Sequence, residues 1–496
     1  MRAAWLGAWI LLGQAWAWQP HDWSNAQAMQ FIDFGYQTLT DAQAAFVASH
    51  YRIVSIEKCT GYPALTTEAG FLRSAQLLKA HDPTVQTLLY WDTNQGWLQC
   101  YGAKDGLLTR PDWWLRSASG AVLYVDEANG IPYLNTSVPE ARAWWAGVPM
   151  AVHAANRSLL DGVFVDGTSA WCPAQTPDCG ALVSGRAAMV ALLRALLANA
   201  TGGAGVVLGN GLSMYSPARN NELDSLANMD GIMLEHFAVF EQVVQGSLNV
   251  PLVAQALQRV ADAAATGKLV AMACWPGPFT DAFDARGFPG WAGNVSAPTT
   301  YAGWRAALLQ YAPFALAAFL TVAEPNVFMQ YQVWYNGFSQ GAIPCDAAPT
   351  TCAAPSAATW YPDWLKPIGP PLGAATRAGN VWTRRFAFAT STLDLDAPLA
   401  RSGVSFMAAP TTVLTTSPPS ALTTSPPSAL TTSPSSALTT PSPPVLTTPT
   451  TQASTPATPV PPAAPASISV PVIVATSVGG ACALVLVAVL VLHSWH

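Results

Sequence analysis

Eight short apolar runs, most separated by stretches of helical spacing, constrain this chain more than any other feature. They are "AMQFIDFGY" (28–36), "YRIVSIEKC" (51–59), "VQTLLYWDT" (85–93), "DGVFVDG" (161–167), "GVVLGNG" (205–211), "DGIMLEHF" (230–237), "KLVAMACW" (268–275) and "NVFMQYQVWY" (326–335). Strands so nearly continuous in apolar residues are buried on both faces, which is the condition of a parallel sheet covered by helices. The covering helices are legible as "TDAQAAFVASH" (40–50), "EAGFLRSAQLLKAH" (68–81), "PEARAWWAGVPMAVHAA" (139–155), "RAAMVALLRALLANA" (186–200) and "PLVAQALQRVADAAATG" (251–267). Each carries apolar residues three and four apart, and several open on Thr or Pro, as helix starts should. The alternation predicts an α/β fold, a (β/α)8 TIM barrel over 18–345. A doubly wound open sheet is disfavoured, because no run leads into a Gly-x-Gly-x-x-Gly turn.

A barrel of this kind keeps its chemistry at the C-terminal ends of its strands. Standing there are Asp33, Glu57 with Lys58, Tyr90, Trp91 and Asp92, Asp166, Asn210, Glu235 with His236, Trp275, and Gln330 with Tyr331. Carboxylates and aromatic rings around one mouth suit carbohydrate chemistry: rings stack on sugar faces, and Asp, Asn and Gln bind hydroxyls. Glycoside cleavage needs two carboxyl groups, and "DGVFVDG" and "DGIMLEHF" each deliver one five residues after an opening Asp. Asp166 and Glu235 leave their strands at the functional end and are the expected catalytic pair. Asp161 and Asp230 enter at the opposite end and read as structural caps or turn formers. The remaining mouth residues are the expected substrate ligands.

Other chemistries lack their signatures. No Gly-x-Ser-x-Gly elbow is present, and Asn210 stands where its nucleophile would be in "VLGNGLS". No Cys-x-x-Cys or His-x-x-x-His spacing argues for zinc, and neither metal nor organic cofactor is expected. A net charge of -6 with only 10% charged residues leaves no basic footprint for nucleic acid.

The ends of the chain set its destination. An apolar run from Ala3 to Leu12, followed by Ala15 and Ala17, predicts a signal peptide over 1–17. Eight cysteines and four sequons, at Asn135, Asn156, Asn199 and Asn294, suit the secretory route. The expected disulfides are Cys172–Cys179, Cys345–Cys352 and Cys59–Cys100, leaving Cys274 and Cys482 unpaired. From 406 to 467 a Thr/Ser/Pro-rich, mucin-like stalk repeats units of the type L-T-T-S-P-P-S-A, too poor in apolar surface to fold. The segment 468–496 holds "VPVIVATSVGGACALVLVAVLVL", which reads equally as a transmembrane helix or a GPI-addition signal. Both place the barrel on the outside of a cell, anchored to its membrane. The oligomeric state is not legible.

Four segments carry a family likeness: "YLNTSVPEARAWW" (133–145), "DGVFVDG", "DGIMLEHF" and "IGPPLGAATRAGNVWTRRF" (368–386). In their order they resemble glycoside hydrolase-like barrels of the hypothetical glycosyl hydrolase family fifteen type, related to the α-galactosidase and polygalactosaminidase superfamily. The likeness spans Phe31 to Phe388. It implies a retaining mechanism with Asp166 as nucleophile and Glu235 as acid/base, and a small β extension over 346–405, in which "TRRFAFATSTLDL" (383–395) falls. The expected activity is hydrolysis of glycosidic bonds in a poly- or oligosaccharide at the cell surface. The alternative is an inactive surface lectin or adhesin on the same scaffold.

Overall fold

All eight apolar runs form strands: β1 (Phe31–Phe34), β2 (Ile53–Ile56), β3 (Gln86–Asp92), β4 (Gly162–Asp166), β5 (Val206–Asn210), β6 (Gly231–Phe237), β7 (Leu269–Cys274) and β8 (Val327–Tyr331). They hydrogen-bond in chain order as one sheet, with every neighbouring pair parallel. β1 and β8 also approach one another, so the sheet curls in TIM-like fashion. Among the described residues no hydrogen-bonded ladder joins those two strands. The computed structural model describes residues 18–29, 31–34, 38–169, 171–212, 225–238, 243–244, 247–274, 301–331 and 361–407. The expected leader, the stalk from 408 on, the apolar tail, Trp275, Asn294, Cys482 and the pair Cys345–Cys352 lie outside the described residues, as do the side chains of Asp33 and His236.

The helices are α1 (Asp41–His50), α2 (Thr67–His81), α3 (Pro139–Ala155), α4 (Cys179–Thr201), α5 (Val250–Ala265) and α6 (Tyr301–Val322). Thr40 caps α1 in a full capping box with Gln43, and Thr66 caps α2 through the amide of Ala69. α4 starts seven residues earlier than its apolar spacing suggests, because Asp178 accepts the amide of Ala181 at 2.8 Å and supplies the cap. α6 has no amphipathic stripe and holds Pro313, so spacing does not reveal it. It needs no stripe. Phe314 to Leu320 are all buried, and a four-stranded antiparallel sheet covers the helix: β9 (Thr376–Ala378), β10 (Val381–Arg385), β11 (Ala389–Asp394) and β12 (Gly403–Phe406). Ser391 donates its hydroxyl to the Ala317 carbonyl at 3.2 Å, and Arg384 donates to the carbonyls of Leu320 and Ala323.

The pleat sorts the strand residues into two cores. Val54, Leu89, Val163, Val207, Ile232 and Met329 face the helices. Leu88, Tyr90, Phe164, Leu208, Met233 and Phe328 face inward. Trp18 closes the interior: it is 3% exposed and meets Phe328 edge-on at 6.3 Å. His21 lies beside it, 5.7 Å from the Phe328 ring and 2.8 Å from the Glu324 carbonyl oxygen, and burial lowers its pKa to about 4.

The two Asp-Gly openings repeat one device at the strand feet. Asp161 accepts the Thr87 amide at 2.8 Å and the Lys79 ammonium at 2.6 Å, which ties β4 to β3 and α2. Asp230 accepts the Val207 amide at 3.0 Å and Arg194 at 2.8 Å, which ties β6 to β5 and α4. The glycines are required by crowding. A Cβ on Gly162 would stand 2.3 Å from the Val206 oxygen, and one on Gly231 would stand 2.6 Å from that of Leu269.

Candidate active site

Five consecutive strands, β2 to β6, deliver interacting polar groups to the C-terminal edge of the sheet. The centre is Asp166, the last residue of β4. Its Oδ2 accepts the Tyr90 hydroxyl at 2.5 Å, and its Oδ1 accepts the Gly167 amide at 2.7 Å and Asn210 Nδ2 at 3.0 Å. The same Asn210 nitrogen donates to Glu235 Oε2 at 2.6 Å. Both carboxylate oxygens therefore lie on one nitrogen. They can be no farther apart than the two bonds laid end to end, about 5.6 Å.

The surroundings hold these groups in place. Burial, reinforced by Asp166, pushes the Tyr90 phenol well above its usual pKa, so it stays a donor. Its carbonyl accepts the Tyr101 hydroxyl at 2.7 Å. Lys58 Nζ sits 4.5 Å from the Tyr90 ring centre and 5.3 Å from that of Trp97, while pairing with buried Glu57 at 2.7 Å. Asp92 pairs in register with Asp166 on the neighbouring strand. Its two oxygens accept the amides of Asn94 and Gly96, at 2.7 and 2.8 Å, and so shape the loop that follows β3. Burial first, then the charge of Asp166, pushes Asp92 up to about 7. Arg186 reaches from α4 into the same loops. It donates to the carbonyls of Ser169 and Trp171 at 2.7 and 2.8 Å and to Asn94 at 3.3 Å, and burial lowers it to about 10. Cys59–Cys100 and Cys172–Cys179 are disulfides that staple these loops.

The structure thus joins Glu57, Lys58, Tyr90, Asp92, Asp166, Asn210 and Glu235 of the residues expected at the mouth. Gln330 is buried on β8 between Met329 and Tyr331, which face the helices, so the pleat turns it inward. Trp91 and Tyr331 are turned outward. Trp91 donates its indole N–H to the Trp145 carbonyl at 3.0 Å, and Tyr331 meets Trp364 edge-on at 6.0 Å. Position at a strand end selected them, but pleat parity decides which face they take. Tyr101, Trp97 and Arg186 escaped the strand-end rule because they stand on a loop or a helix. Among the described residues no three His, Cys, Asp or Glu side chains are grouped to hold a metal. Of the sequons, Asn156 and Asn199 are exposed, and Asn135 is half-buried with its side-chain oxygen accepting from Ser137 at 2.7 Å.

No protein-family model matches the sequence, and no curated protein matches it. Among solved structures, the chain is similar to the glycoside hydrolase domain of PelA from Pseudomonas aeruginosa. The identity is 13% and the TM-score 0.32, over 54% of this chain and 96% of that one. It is also similar to an Anoxybacillus α-amylase, at 10% identity and a TM-score of 0.41, over 74% of this chain and 86% of that one. A family GH18 chitinase from Chromobacterium violaceum is similar at 12% identity and a TM-score of 0.30, over 52% of this chain and 46% of that one.

Proposed function

We propose that this chain is a glycoside hydrolase that cleaves an oligo- or polysaccharide with retention of anomeric configuration. The observation that carries the reading is the single amide nitrogen of Asn210 bridging Asp166 and Glu235. Carboxyl groups about 5–5.5 Å apart suit a covalent two-step displacement, whereas inversion leaves room for a water at roughly 6.5–9.5 Å. Asp166 attacks the anomeric carbon while Glu235 protonates the departing oxygen. Glu235 then takes a proton from water as the glycosyl ester is hydrolysed. Tyr90 and Gly167 hold the Asp166 carboxylate, and Lys58 and Trp97 border the space a sugar would occupy.

The same reading extends to what surrounds the site. The curled sheet closes as a (β/α)8 barrel within 18–345, the sheet β9 to β12 belongs to an extension that runs one residue past 405, since Phe406 pairs with Ala389, and the segment beyond it lifts the barrel from a membrane at the cell surface. N-glycans fit the exposed Asn156 and Asn199.

The test is turnover of a panel of glycans by the wild-type chain, by Asp166→Asn and by Glu235→Gln. Both variants are expected to lose hydrolysis by at least about 10³-fold. Unchanged turnover in either variant sinks the assignment. Glycan binding with no turnover by the wild type makes the chain a lectin instead.

A further inference from the structure

We infer that Asn210 is a positioning residue: its amide sets the spacing of the two carboxyl groups and the oxygen from which Glu235 gives up its proton. This deepens the glycosidase reading and rests on it. Asn210 ends β5, the strand between those carrying Asp166 and Glu235, and its side chain reaches both. Its backbone is clamped first. The Asn210 carbonyl accepts both the hydroxyl and the amide of Thr168, at 2.8 and 3.3 Å. Gly211 lets that contact form, since a Cβ there would stand 2.3 Å from the Thr168 hydroxyl. With the backbone held, the two hydrogens of one NH2 group point at Asp166 Oδ1 and Glu235 Oε2.

A carboxylic acid accepts hydrogen bonds best on its carbonyl oxygen and carries its proton on the other. The short bond to Oε2 makes that atom the carbonyl oxygen and leaves Oε1 to bear the proton. In the first step the Oε1–H bond breaks as its hydrogen passes to the glycosidic oxygen. The C1–O bond cleaves with its electron pair going to that oxygen, and Asp166 forms the new bond to C1. Glu235 becomes an anion at that moment, and the N–H already aimed at it strengthens as its charge grows. The reverse proton movement on deglycosylation uses the same geometry. An amide bound to a sugar hydroxyl would do neither.

The experiment compares Asn210→Ala and the isosteric Asn210→Asp with wild type on two aryl glycosides of the sugar that the wild type hydrolyses. One carries phenol, which needs protonation to leave, and the other 2,4-dinitrophenol, which does not. Expected is a fall in kcat/KM of tenfold or more on the phenyl substrate and a much smaller fall in kcat/KM on the dinitrophenyl substrate, whose kcat and KM fall together as the glycosyl ester accumulates. A rise in KM shared by both substrates with kcat kept makes Asn210 a sugar ligand and overturns the proposal. A substrate-free arm melts Asn210→Ala, Glu235→Ala and the double variant at pH 7.5, since alanine at either position removes the bond. Groups joined by a hydrogen bond give non-additive shifts, here by about 2 °C or more. Additive shifts overturn the bridge. A wild type that hydrolyses nothing defeats the glycosidase reading, while the melting cycle still decides whether Asn210 couples the pair.

Discussion

Tyr90 pairs in register with Phe164 but donates its hydroxyl to Asp166, two residues further along β4, at 2.5 Å. The bond runs from a neutral donor to a carboxylate, the kind worth roughly 1.5–3 kcal/mol. Tyr90→Phe keeps the ring under Lys58 and removes only the donor. We expect kcat to fall about 10- to 100-fold with KM little changed, read by steady-state kinetics on the substrate found in the panel. An unchanged kcat would mean that Tyr90 only packs.

Asp92 gives the fold a pH dependence of unusual sign. Its folded pKa of about 7 exceeds its unfolded value, so the native state holds a proton that the unfolded state releases. Stability is full below about pH 4, declines as pH rises from there to about 7, and is flat above, a loss on the order of 4 kcal/mol at most. Asp92→Asn removes the titration, although its NH2 cannot accept the amide that one carboxyl oxygen takes. Its melting temperature relative to wild type should therefore rise between pH 4 and pH 8, by thermal melts across that range. Parallel curves would show that Asp92 is charged throughout.

The foot and the tip of β4 should separate in their effects. Asp161→Ala leaves Lys79 and the Thr87 amide without their acceptor, which costs about 1–3 kcal/mol. Asp230→Ala does the same to Arg194 and Val207. Both variants should melt several degrees early yet retain wild-type turnover per folded molecule, measured below their transition. Lost turnover at full folding would place these aspartates in the chemistry.

The two disulfides differ in the chain they close. Cys59–Cys100 spans 41 residues and Cys172–Cys179 spans 7. Loop-closure entropy alone assigns them about 4 and about 2.4 kcal/mol. Replacing Cys59 and Cys100 by Ser should therefore lower the melting temperature more than replacing Cys172 and Cys179. The opposite order would show that strain in the site loops, not chain entropy, governs their stability.

The sheet was legible because its strands are buried on both faces, which leaves runs such as "GVVLGNG" apolar almost throughout and bounded by glycine. The carboxylate pair was legible because Asp166 and Glu235 each stand five residues after a matching Asp-Gly opening, the first at the end of β4 and the second two residues before the end of β6. Two things were hidden. Trp91 and Tyr331 share strand ends with inward residues, and a run apolar on both faces carries no alternation to show which side each takes. α6 was hidden for the related reason that a helix covered by a sheet on each side loses its polar stripe. The links among Tyr90, Asp166, Asn210 and Glu235 are contacts between strands, and no spacing within one strand encodes them.

The cover over α6 bears on how this protein can be handled. A boundary drawn at residue 345 looks like a natural place to cut, but it removes the strands that shield Phe314 to Leu320 and the guanidinium of Arg384 that engages the helix carbonyls. A chain ending there would present an apolar helix to water and should precipitate or be degraded. Expression designs gain by running through Met407, and the intact piece should unfold as one cooperative unit rather than shed its C-terminal sheet first.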